Sequence, residues 1–241
     1  MSLTAARIIP IAAARPAPIT IDNGVLEAAK WIALVIMTID HVNTYLLHGR
    51  HAWMYQVGRL AMPLFGIVLA AHLSCPNALE KNGPARRMTM RLAGFGLLAQ
   101  IPFTWLRGGP WPPTLLNTMV LLLLVVVFLR LRASDRLLHR VAGWSLLVVG
   151  GATVEFWWIG AAVILAVRAW LMEPTPASAL GVSLAFALLC VLTKSLVPPL
   201  ALPLVYVLAH RRVSAPSLRL LFYSYYPLHF AALVVLGGSP E

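Results

Sequence analysis

Trp31-Ile-Ala-Leu-Val-Ile-Met-Thr-Ile-Asp40-His41-Val-Asn43-Thr-Tyr-Leu-Leu47 is an apolar run interrupted, near one end, by an adjacent carboxylate and imidazole. A helix that spans a bilayer needs about 20 mainly apolar residues. Ionisable groups inside such a helix are costly, so an Asp-His pair there points to function as well as to packing.

The same criterion applied outward along the chain finds about nine candidate spans, at 25–47, 53–74, 86–106, 114–131, 137–153, 155–171, 178–192, 197–209 and 219–236. The eighth holds Pro198, Pro199 and Pro203 and is expected to kink or re-enter, because proline removes helix hydrogen bonds that lipid cannot replace. Of the 241 residues, 60% are hydrophobic and 11% charged, and the mean hydropathy is +0.81. A soluble domain carries roughly a quarter charged residues, so this composition leaves a lipid-facing surface. The fold expected is all-α, a polytopic integral membrane helix bundle. Residues 1–24 read as a flexible cytoplasmic leader and 25–241 as a single transmembrane domain.

Nineteen Lys and Arg against eight Asp and Glu give a net charge of +11. The basic residues gather between apolar runs and not in a nucleic-acid patch. Lys81, Arg86 and Arg87 follow the second span, Arg130, Arg132, Arg136 and Arg140 the fourth, and Arg211, Arg212 and Arg219 the eighth. The alternate loops are nearly bare, with Arg50, Arg107 and Lys194. Basic residues are retained on the cytoplasmic side, which puts the N-terminus in the cytoplasm and the C-terminus in the periplasm. Nucleic acid is not expected as a partner, whereas membrane lipid is. Cys75 and Cys190 form no framework, and His72 with Cys75 makes too few ligands for a metal.

At about 1.5 Å of rise per residue, polar residues from six segments fall in one layer of the outer half. Asp40, His41 and His229 lie roughly 10 Å deep, and Arg59 and Gln100 roughly 9 Å. Asn117 sits about one turn into its helix and Glu155 at the outer lip. This predicts a polar cavity near the outer face. Each member also has a plainer reading: Asp40–Arg59 as a helix-pinning ion pair, Asn117 and Gln100 as interhelical glue, Glu155 as the wet end of an aromatic belt. Adjacent helix residues point about 100° apart, so Asp40 and His41 face different neighbours. His41 is the expected general base because neutral imidazole titrates near working pH, and Glu155 is its expected orienting partner.

Lys30-Trp-Ile-Ala-Leu-Val-Ile-Met-Thr-Ile-Asp40-His41-Val-Asn43 resembles the first helix of the TraX family of conjugation-associated membrane proteins, which includes the TrbP-type proteins. Gly58-Arg59-Leu-Ala-Met-Pro63-Leu-Phe65 is similar to that family's second-helix motif. Arg91-Leu92, Gln100-Ile-Pro102-Phe103, Leu116-Asn117 and Phe222-Tyr223-Ser-Tyr-Tyr226-Pro227-Leu228-His229 continue the likeness in order. The resemblance implies an inner-membrane enzyme of a conjugative type IV secretion system that acetylates the N-terminal amine of pilin from acetyl-CoA. It also implies a distant likeness to transmembrane acyltransferases, whose membrane-embedded histidine maps onto His41.

On this reading the catalytic set is His41, Asp40, Arg59, His229 and Glu155, with Arg59 or Asn117 steadying the oxyanion and His229 returning a proton. Asn117, Gln100, Asn43 and Tyr226 are the expected substrate contacts. Arg86, Arg87 and Arg91 are the expected phosphate holders for acetyl-CoA, and no metal is expected. The runners-up are head-to-tail pilin cyclisation by amide-bond formation and a non-catalytic pilin-maturation factor.

Overall fold

The computed structural model describes residues 16–80, 82–109, 115–213 and 215–237. Among them are ten α-helices, one 3-10 turn and a single isolated bridge. In chain order the helices are α1 (Asn23–Tyr45), α2 (Ala52–Gly58), α3 (Ala61–Ser74), α4 (Pro84–Leu106) and α5 (Thr118–Arg132). They continue with α6 (Leu137–Gly151), α7 (Trp157–Met172), α8 (Pro176–Thr193), α9 (Ala201–His210) and α10 (Arg219–Val235). Each of the apolar segments predicted from sequence contains helix.

Two segments are long and apolar enough to cross a membrane, Ala52–Ser74 and Pro176–Thr193. Four other apolar helical segments are shorter, among them Leu137–Gly151 and Trp157–Met172. α1 and α4 have the length, 23 residues each, but carry Glu27, Lys30, Asp40 and Arg86, Arg87, Arg91. Large apolar side chains cover the outside of the bundle, including Leu97, Ile101, Trp105, Leu138, Leu184 and Val191. α6 buries only Gly143 and Gly151. So much exposed hydrocarbon suits lipid and is rare on a water-facing monomer.

Local signals set the helix ends. The Asp22 carboxylate accepts the Gly24 amide at 2.7 Å and opens α1. Thr175 and Ser178 form a reciprocal capping box before α8, with Pro176 at its first turn. The prolines of the eighth segment give a 3-10 turn, Pro198–Leu200, running into the ten-residue α9. Together these 13 residues, Pro198–His210, extend about 20 Å, short of a hydrocarbon core of about 30 Å.

α1 packs on α2, α3, α9 and α10; α3 packs on α7, and α4 on α5 and α10. The buried stripe of α1 runs Leu26, Ala29, Ala33, Met37, Asp40 at helical spacing, which carries the carboxylate into the interior. Residues 1–15, most of the expected leader, lie outside the described residues, as does Lys81. Residues 16–22 depart from the expectation of a flexible segment: the Ile19 amide donates to the Leu171 carbonyl at 2.7 Å, and Ile19 and Ile21 pack on the core.

Candidate active site

Asp40 and His41 leave α1 on different sides. Asp40 forms an ion pair with the Arg59 guanidinium, whose Nε also donates to the Tyr55 carbonyl at 3.2 Å. The guanidinium lies over the Tyr55 ring, 4.1 Å from its centroid, so its apolar face is covered while its edge donates. His41 turns to α10. Its Nδ1 lies 2.8 Å from Nε2 of His229, with the two rings nearly parallel at 9°.

The proton positions follow from the partners. His229 Nδ1 lies 3.1 Å from the Tyr225 carbonyl, an oxygen that can only accept, so Nδ1 carries the proton. In the neutral ring Nε2 is then an acceptor, and His41 Nδ1–H donates to it. That leaves the lone pair of His41 on Nε2. The expected orienting partner of His41, Glu155, is replaced here by His229. With its Nδ1 proton on the Tyr225 carbonyl, His229 orients and does not stand ready to donate to substrate.

Aromatic rings wall the pair. Phe230 lies 4.9 Å and Tyr45 5.9 Å from the His41 ring, and Tyr226 5.4 Å from that of His229. Phe103 of α4 meets Phe230 edge-on at 5.6 Å. One turn below His41, Thr38 Oγ1 donates to the Leu34 carbonyl and therefore accepts from the Tyr225 hydroxyl, at 2.7 Å. This bond ties α1 to α10 directly beneath the imidazoles.

The Glu155 carboxylate accepts the Thr118 amide at 3.0 Å and the Thr118 hydroxyl at 2.5 Å, at the N-terminus of α5. Backbone bonds Leu116 N to Thr153 O and Glu155 N to Leu116 O, at 2.7 and 2.8 Å, hold it there. A carboxylate in that place is favoured by the helix dipole. Phe156 and Trp157, immediately after it, both adopt left-handed backbone, with φ of 60° and 50°. Bulky side chains there cost on the order of 1–3 kcal/mol each. Arg59 and Arg107 act electrostatically on both His41 and Glu155, and Tyr226 is within reach of Thr118 and Glu155.

Three expected substrate contacts are committed elsewhere. Asn117, wholly buried, caps α5 by accepting from Met119 and Val120, and its amide donates to the Gly96 carbonyl and Gln100 Oε1. Gln100 donates to Thr104 and to the Leu115 carbonyl. Each carboxamide has two N–H groups and both are used, so Asn117 has no donor left for an oxyanion. Asn43 accepts the His51 amide at 3.0 Å and fixes the loop between α1 and α2. Asn117 and Gln100 are the glue the plainer reading anticipates. Arg86, Arg87 and Arg91 lie at the opposite end of α4 from Gln100.

A family model described as TraX protein matches residues 25–237. The chain belongs to the TraX family. It is similar to Protein TraX of Escherichia coli, 35% identical over 89 residues, which are 36% of this chain and 33% of that protein. It is also similar to Protein TraX of Escherichia coli strain K12, 34% identical over 89 residues, with the same shares, 36% and 33%. The alignments thus span about a third of the length of these curated relatives. No solved structure matches the chain.

The TraX-like stretch Gly58-Arg59-x-x-x-Pro63 has a physical reason in this structure. Pro63 has no N–H and its ring crowds the carbonyl four residues back, that of Arg59. The helix breaks there between α2 and α3, tightened by bonds from Arg59 N to Gln56 O and Leu60 N to Val57 O at 3.2 and 3.1 Å. Gly58 allows α2 to lie against the Asp40 side chain, where a Cβ would collide.

Two residues of this neighbourhood escape a reading by depth. Thr38 stands as the polar interruption two positions before Asp40 and three before His41. Arg107, with its guanidinium 5.7 Å from the Phe103 ring, lies four residues after Phe103, a spacing that puts both on one helix face.

Proposed function

We propose that this TraX-family chain is a multi-pass enzyme of the bacterial inner membrane that transfers an acetyl group from acetyl-CoA to the N-terminal amine of a conjugative pilin, with His41 as the general base. The N-terminus is cytoplasmic and the C-terminus periplasmic, following the alternation of basic loops. The observation that carries the reading is the bonded imidazole pair: His229, anchored on the Tyr225 carbonyl, fixes the His41 tautomer that leaves Nε2 able to take a proton.

The amine nitrogen attacks the thioester carbonyl, its proton passing to His41 Nε2. The tetrahedral intermediate collapses with C–N kept and C–S broken, and the proton held on His41 returns to the leaving thiolate. General-base help of this kind contributes about 10²–10⁴-fold. Arg59, held by Asp40 and Tyr55 through two of its five N–H donors, has others to offer the developing oxyanion. The donor's phosphates enter from the cytoplasmic side, where Arg86 and the Arg130–Arg140 cluster supply positive charge.

The test is incubation of the purified protein with labelled acetyl-CoA and pilin. Label on the pilin amine in the wild type, absent with His41→Ala in an inserted, folded protein, is the expected result. Loss of water from pilin without label would replace transfer by cyclisation. Copurification of pilin with no chemical change would replace it by a maturation factor.

A further inference from the structure

A trough runs along the outside of α4, lined by Arg87, Met90, Arg91, Gly94, Phe95 and Leu98, with a volume of about 440 Å³. Its polarity is graded. Arg87 and Arg91, one turn apart, occupy one end; Phe95 and Leu98 occupy the other. Among the described residues no acidic side chain lines it. All of its lining residues belong to α4, and Tyr223 of α10 braces two of them, stacking on Phe95 at 6.0 Å and lying beneath the Arg91 guanidinium at 5.8 Å. Gly94 forms the floor, with nothing within 4 Å of where a Cβ would stand. Met90 and Leu98 are more than half exposed, so the trough opens sideways, away from the bundle.

From Arg87 to Leu98 is 11 residues of α4, or about 16 Å of helix, close to half of a hydrocarbon core about 30 Å thick. A feature that begins with two guanidiniums and continues as bare hydrocarbon for the seven residues from Arg91 to Leu98, about 10 Å, has the dimensions of a lipid headgroup and the first part of an acyl chain. We propose that this trough is a site for one anionic phospholipid, its phosphate on Arg87 and Arg91 and an acyl chain along Gly94, Phe95 and Leu98. Guanidinium binds phosphate through paired N–H groups, and basic pockets between helices on the cytoplasmic side take anionic headgroups. A nucleotide donor would instead need polar partners for a base and ribose, which the apolar wall does not offer. The site does not depend on acetyl transfer.

The test uses the purified full chain, delipidated in mild detergent and titrated with phosphatidylglycerol or phosphatidylcholine, with bound lipid read by native mass spectrometry. The wild type retains phosphatidylglycerol selectively. Arg87→Gln with Arg91→Gln loses that preference by about tenfold. Gly94→Leu, which fills the floor without touching the interior, loses bound lipid with both arginines in place. A control of equal charge change, Arg136→Gln with Arg140→Gln, keeps the wild-type preference. Equal loss in this control, or displacement of the lipid by saturating acetyl-CoA, would overturn the assignment. If Gly94→Leu does not fold, the two arginine pairs decide it alone.

Discussion

Gly58 lies against Asp40 so closely that a methyl group on its Cα would overlap the Asp40 Cβ and carboxyl carbon. The contact sets how near α2 comes to α1, and hence how Arg59 meets its carboxylate. Gly58→Ala should therefore push Asp40 aside and weaken the ion pair although neither charged residue is changed. A loss of about 1–3 kcal/mol is expected from overpacking, read as a lower unfolding temperature in detergent. Unchanged stability would mean that the helices separate without cost.

Removing His41 and removing His229 should differ in kind. His41→Ala is expected to lower kcat/KM for pilin acetylation by about 10²–10⁴-fold, the loss of a general base. His229→Ala leaves the base but unfixes its tautomer, with a smaller loss. Activity of the wild type should fall as pH is lowered through the titration of the pair, because a proton on either ring removes an acceptor from the chain of hydrogen bonds. In His229→Ala that acid limb should move, since the partner that couples to it is gone. A pH profile identical to wild type would separate His229 from the chemistry.

Asn117→Ala should be a stability variant. It removes a helix cap, at about 1 kcal/mol, and leaves the Gly96 carbonyl and Gln100 Oε1 short of a donor, at about 1–3 kcal/mol. Specific activity per folded molecule should stay near wild type, as measured after correcting for the folded fraction. A large drop in kcat with normal unfolding would restore Asn117 to the oxyanion role.

The Thr38–Tyr225 bond should report on α1–α10 docking. Thr38→Val and Tyr225→Phe each remove it while nearly keeping shape, and the net worth of such a bond is about 0.5–1.5 kcal/mol. In a double-mutant cycle the two losses should be less than additive, because the second change deletes a partner already absent. Full additivity would mean that the hydroxyls do not act on each other.

Much of the fold was legible from hydrophobic length alone, since each helix announces itself as an apolar run between turn residues. Some of the pairing among polar residues was legible as well: rise per residue placed Asp40, His41, Arg59 and His229 at one relative height, and the structure brings them together in pairs. Rotation about each helix axis was not legible. Depth cannot distinguish Asn117 facing Gln100 from Asn117 facing a substrate, because both lie at the same height. Nor does it show that Glu155 turns back to cap α5, a course set by the left-handed Phe156 and Trp157, whose backbone no local sequence rule favours. Pro63, Pro102 and Pro227 each delete a helix hydrogen bond and crowd the carbonyl four residues back, a local adjustment that residue spacing does not record.

Because Pro63 carries no amide hydrogen, the tightened turn at Arg59 is built into the covalent chain and does not depend on which hydrocarbon groups surround it. Aliphatic side chains along α3 can be exchanged for others of similar bulk while the guanidinium keeps its bearing. A single change at the imino acid, by contrast, would let the Arg59 carbonyl regain an amide partner four residues on and loosen the tightened turn that aims the cation at its counter-ion.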